Sequence, residues 1–120
     1  MKANVSIYQF FDELEEALIG GTPSEFPDRY RDASPITHVK PGLPPTLMLF
    51  GSRDHIVEPR YGVRLHDSLV AAGNTAVYLE IPWAEHAFDE VFNGPSAQLA
   101  IYHTERFLAW AMARPRADLR

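Results

Sequence analysis

Thr46–Phe50 reads TLMLF, an unbroken apolar run bounded by Pro44–Pro45 on one side and Gly51 on the other. A strand with one wet face alternates apolar and polar residues. Continuous apolarity over a short, punctuated run marks a strand covered on both faces, as in parallel sheets. A parallel strand needs a partner reached by a crossover. Ala76–Ile81, AVYLEI, supplies one, with Val77, Leu79 and Ile81 alternating against Tyr78 and Glu80. Between them the spacing predicts a helix from Pro59 to about Ala72, with Tyr61, Leu65, Leu69 and Ala72 on one face and Gly73–Asn74 closing it. The fold class is α/β, built on a parallel βαβ unit with flanking helices.

Upstream, Ile7, Phe10, Phe11, Leu14, Ala17 and Leu18 fall at helical spacing over Ile7–Ile19, and Gly20–Gly21 ends that helix. Thr22–Pro45 holds six of the ten prolines and reads as mostly irregular chain. A short helical turn is expected over Ser24–Arg31, with Thr22 as its cap and Pro23 at its first position, stopped by Ala33–Ser34–Pro35. Downstream, Pro82–Pro95 is loop with a helical turn near Asp89–Phe92. Ser96 caps a last helix to about Ala113, its face marked by Ala100, Thr104, Phe107, Leu108 and Ala111 and flanked by Trp110. Residues 1–120 are thus expected as one partial domain. Its parts are a helix plus Pro-rich excursion (1–45), a strand–helix–strand–loop–helix segment (46–113) and a polar tail (114–120). Two parallel strands are a poor sheet by themselves, so they are expected at the end of a larger sheet or paired with another chain.

A formal charge of −5 and the absence of any Lys/Arg cluster exclude the electrostatic footprint of a nucleic-acid binder. There is no cysteine, hence neither disulfide nor thiolate zinc site. No run approaches the roughly 18 apolar residues of a membrane span, and no secretory signal is expected from the residues before Asp12. A cytoplasmic protein is the expectation. The pattern calls for no cofactor and no metal: Glu85, His86 and Asp89 match no strong ligand spacing.

In open α/β sheets, functional groups gather beyond the carboxyl ends of the strands. Asp54 follows the first strand there and His86 follows the second. If the strands are adjacent, a carboxylate–imidazole hydrogen bond is geometrically reasonable, leaving the other ring nitrogen to take a proton from a nucleophile. Spacing alone favours quieter roles: Asp54 as a turn residue after Gly-Ser, and His86 as a loop histidine bonded to backbone. Ser52 reads as a turn serine. His55 and His66 read as surface groups, His38 lies in irregular chain, and His103 is partly buried in the last helix.

Phe50–Pro59, FGSRDHIVEP, resembles the H/F-G-x-x-D-x-x-V-P segment of α/β-hydrolases, and Pro82–Asp89, PWAEHAFD, is similar to their P-G-A-x-H-G-F segment. Leu18–Thr22 and Ala33–Pro35 look like the L-x-G-G-T and A-S-P pieces that precede them. The nearest likeness is to esterases and lipases of the hormone-sensitive-lipase-like and feruloyl-esterase-like branch, with prolyl-oligopeptidase-type enzymes as relatives. It covers about residues 10–113 and corresponds to the C-terminal portion of such an enzyme's sheet. The resemblance implies serine carboxylic-ester hydrolysis, with a small ester as substrate. It makes Asp54 the triad acid and His86 the general base, with Val57 anchoring the aspartate loop and Phe88 packing beside the histidine loop.

The sequence departs from this pattern at two positions and lacks two of its motifs. Trp83 and Ala87 stand where the family has glycine, which is expected to change the loop shape. None of Ser6, Ser24, Ser34, Ser52, Ser68 and Ser96 lies in a G-x-S-x-G elbow, and no HGGG-type oxyanion segment occurs. Without nucleophile or oxyanion donors the chain is expected to be inactive alone. Two other readings compete. One is a non-catalytic association module that pairs through its exposed sheet edge with another copy or a partner chain. The other is a receiver-like domain phosphorylated on Asp54, which would need about five βα units.

Overall fold

The computed structural model describes residues 7–114, so the expected tail is represented only by Arg114 and its remainder lies outside the described residues. The chain forms two compact units, the first ending at His38 and the second beginning at Val39.

In the first unit, helix α1 spans Ile7–Ile19, as the spacing predicts. Leu14 and Leu18 on it are exposed. The amides of Gly20 and Gly21 both donate to the Glu16 carbonyl, with φ of 101° and 150°, angles at which a side chain would be strained. Thr22 caps a single turn, not a helix: its Oγ1 accepts from the Glu25 amide, and the Glu25 carboxylate accepts from the Thr22 amide and hydroxyl. Helix α2 then begins later than expected, at Pro27, and runs to Ala33. Pro27 and not Pro23 takes the first position, because the Thr22–Glu25 turn uses up the earlier residues. Ser34 is extended before Pro35, and a 3₁₀ turn over Pro35–His38 follows.

The second unit carries the site. Strand β1 is Thr46–Gly51, helix α3 is Pro59–Ala71, strand β2 is Ala76–Ile81 and helix α4 is Pro95–Ala113. β1 and β2 pair in parallel, Thr46 opposite Ala76 through Gly51 opposite Ile81, and among the described residues they form a sheet of two strands. Asn74, between α3 and β2, accepts from the Leu43 amide and donates to the Lys40 carbonyl.

Side chains of the two strands alternate between faces. Phe50 and Tyr78 stack at 5.7 Å on the α3 side, and His66 of α3 lies 6.5 Å from Tyr78. His66 is therefore half-buried and not the surface group expected from sequence. Burial, followed by the neighbouring Glu80 carboxylate, pushes the Tyr78 phenol up to about 12. The buried face of α3 is set by Gly62 and Leu69, while Tyr61 is exposed. The expected helix face is thus rotated, and glycine is what permits it. A Cβ on Gly62 would sit 2.4 Å from the Phe50 ring. On the other side, Leu47, Val77 and Leu79 face His103, Phe107 and Trp110 of α4 across a groove. Gly94 is the N-cap of α4 and Pro95 its first residue, so Ser96 lies inside the helix instead of capping it. Ala97 and Ala100 are its buried contacts, and Leu108, expected on that face, is exposed.

Gly62→Ala is expected to destabilise the protein by about 1–3 kcal/mol, because a rigid ring must move to admit a methyl. Urea denaturation with unchanged slope and a lowered midpoint would show it.

Candidate active site

The register of β1 and β2 places Gly51 beside Ile81, so the two following loops leave the sheet together. Their backbones are then laced: the Ser52 amide donates to the Ile81 carbonyl at 3.0 Å and the Arg53 amide to the Ala84 carbonyl at 2.9 Å. The loops run so close that a Cβ on Gly51 would lie 2.4 Å from the Ala84 carbonyl oxygen. A glycine at the end of β1 is thus a steric requirement of the site.

Asp54 and His86, separated by 32 positions, meet in this crossing. The His86 Nδ1 lies 2.9 Å from Asp54 Oδ2. The other carboxylate oxygen, Oδ1, accepts from the amides of Ile56 at 2.9 Å and Val57 at 2.8 Å. Asp54 is 9% exposed and buried, whereas the His86 side chain is 38% exposed. Burial is the largest single influence on the carboxyl and raises it. The hydrogen bonds from His86, Val57 and Ile56 and the His86 charge outweigh burial together, and the net shift is downward. Asp54 is therefore ionised at neutral pH and can only accept hydrogen bonds, which makes Nδ1 of His86 the donor. That assignment leaves Nε2 as the basic nitrogen of the neutral ring.

Both positions where glycine is missing adopt glycine-like backbone: φ is 57° at Trp83 and 54° at Ala87. A left-handed conformation costs a residue with a Cβ about 1–2 kcal/mol. An open cavity of about 770 Å³ lies beside the pair, lined by Asp54, His86 and Phe88 and by Ala97, Ala100 and Ile101 of α4 among others. Ser52 lies at the loop crossing, where its Oγ accepts from the Trp83 amide at 2.9 Å. His55 is exposed, 4.0 Å from Glu85. His38 bonds the Asp32 carbonyl through Nε2. Among the described residues no group of three or more His, Asp or Glu side chains converges to hold a metal ion, and no helix is long and apolar enough to cross a membrane.

The BD-FAE family model matches residues 2–69, more than half of the chain. The chain belongs to the BD-FAE family. That match contains the Asp54 loop and stops before the His86 loop. Among curated relatives, this BD-FAE member is 38% identical to the esterase LipC of Mycobacterium tuberculosis (strain ATCC 25618 / H37Rv) over 82 residues, 68% of this chain and 20% of that one. It is 36% identical to the "Probable carboxylic ester hydrolase LipM" of the same organism over 89 residues, 73% of this chain and 20% of that one. The chain thus spans about a fifth of the length of these relatives. Among solved structures it superposes on the thermophilic esterase Est2 of the Planctomycetes species Thermogutta terrifontis. In the butyrate-bound form the TM-score is 0.61 at 24% identity, covering 91% of this chain and 37% of that one. In the propionate-bound form it is 0.64 at 21% identity, covering 91% and 38%. The fold of this BD-FAE member is that of an α/β-hydrolase, and the resemblance read from its motifs to the C-terminal part of an esterase is borne out.

Sequence reasoning missed the wall of the cavity, because small residues such as Ala97 and Ala100 give no chemical signal. It also missed the close approach at Gly51, for which the family's own glycine at that place was the available clue. Because the folded Asp54 has a lowered pKa, its contribution is complete above the unfolded value near 3.8 and is lost as pH falls through the folded value. Urea melts between about pH 2 and 6 are expected to show wild type gaining more stability with rising pH than Asp54→Asn does.

Proposed function

We propose that this chain carries the acid and base of a serine carboxylic-ester hydrolase, Asp54 as triad acid and His86 as general base. The observation that carries the reading is the 2.9 Å contact from His86 Nδ1 to a buried, doubly amide-bonded Asp54, beside an apolar cavity. Membership of the BD-FAE family and the esterase relatives support the reaction class. Est2 in its butyrate- and propionate-bound forms supports a short acyl chain.

On this reading a serine Oγ attacks the ester carbonyl as His86 Nε2 takes its proton. The tetrahedral centre then collapses, the bond to the alcohol oxygen breaks, and His86 returns the proton to that oxygen. Water repeats the cycle to release the acid. Asp54 holds the ring in one tautomer and stabilises the imidazolium. The serine and the oxyanion donors come from another segment, since no G-x-S-x-G occurs among these 120 residues.

The chain alone is expected to show no turnover of a short-chain aryl ester, and activity abolished by His86→Ala would overturn that. Placed in LipC in exchange for the matching segment, it is expected to yield an esterase whose kcat falls on the order of 10⁴-fold with Asp54→Asn. A folded, active chimera indifferent to His86→Ala would sink the assignment of the base.

A second reading, association with another copy or a partner chain, is favoured by the outer face of α4. Leu99, Tyr102, Leu108, Trp110 and Met112 are exposed on it although Ala97 and Ala100 are buried, so the helix is apolar on more than its inner face. Light scattering after size exclusion is expected to show an assembly larger than 13.6 kDa. A monodisperse monomer at high concentration would rule it out.

A further inference from the structure

Ser52 does something that the acid–base reading leaves unassigned. β2 ends in a turn closed by the Ala84 amide on the Ile81 carbonyl at 3.3 Å, with Pro82 and Trp83 as its central residues. Proline first and a positive φ second is the pattern of a type II turn, whose second place belongs to glycine. Here it is tryptophan at φ 57°. The Trp83 side chain is not what keeps it there, because the residue is 75% exposed.

The other strand's exit meets this turn from the side. Ser52 gives its amide to the Ile81 carbonyl, Arg53 gives its amide to the Ala84 carbonyl, and Ser52 Oγ accepts the Trp83 amide at 2.9 Å. The first two bonds are backbone and indifferent to side-chain identity. The third is the one that seats the left-handed residue itself. It also sits centrally: Ser52 is two residues before Asp54, and Trp83 is three before His86.

We propose that Ser52 is a positioning residue, whose Oγ holds Trp83 in its left-handed conformation and so keeps the His86 ring aligned on Asp54. Its functional meaning rests on the acid–base reading above, but its test does not need activity.

The readout is the His86 Nδ1 proton in nuclear magnetic resonance spectra of the 120-residue protein. Its exchange with solvent reports how firmly the ring stays on the carboxylate. Ser52→Ala is expected to speed that exchange about tenfold, near the worth of one hydrogen bond. Ser52→Thr, which keeps the Oγ, restores it. In a Trp83→Gly background the positive φ needs no brace, and Ser52→Ala is expected to change exchange little. The proposal is overturned if Ser52→Ala leaves exchange unchanged, or speeds it equally with Gly at 83. Should Ser52→Ala not fold, Ser52→Ala/Trp83→Gly decides: it is expected to fold with slow exchange, and its failure to fold would also overturn the proposal. Asp54→Asn separates the two readings. It should abolish the slow exchange whatever stands at 52, and if it does not, the acid–base couple fails independently of Ser52.

Discussion

Parallel pairing of two six-residue strands, with their carboxyl ends level, is the constraint from which the site follows. Level ends bring two exits to the same place, and two polar backbones in one place must satisfy each other. They do so through amide-to-carbonyl bonds between the loops. The meeting of a carboxylate and an imidazole is then a by-product of where the backbones cross. Neither side chain has to reach far, and Asp54 is fixed by two amides of its own loop before His86 arrives.

The packing around this crossing is thin. Among the described residues Met48, Leu69, Ile81, Ala84, Ala97 and Ala100 are the buried apolar ones, and no large side chain is fully enclosed. Close approaches by glycine replace bulk: α3 reaches the sheet through Gly62, and the loops touch through Gly51. Directional bonds therefore carry much of the definition of this region. That suits a site better than a core, because a hydrogen bond fixes angle as well as distance.

Most of the second unit was legible in the sequence. The alternation at Val77 places β2 to the residue, the apolar run at Thr46 places β1 but for its last residue, Gly51, and the proline and glycine punctuation places α3. What the pattern could not resolve was helix rotation: Gly62 contributes nothing to an apolar stripe, yet it is the residue on which α3 sits. The late start of α2 is hidden for another reason, since Thr22 is a cap, but of a one-turn structure that precedes the helix. Asp54 and His86 were legible as a pair through their motifs. The left-handed backbone at Trp83 and Ala87 was not, because neither residue type favours that conformation.

The clamp of Asn74 on Lys40 and Leu43 bears on an error the strands could otherwise make. A run as uniformly apolar as Thr46–Phe50 has little in its own side chains to forbid a slip of one residue along its neighbour. Such a slip would exchange its faces and carry Asp54 out of reach of His86. Asn74 grips the chain just before the run begins and thereby counts it into place, so a side chain at the far end of the sheet guards the alignment of the loops at the other.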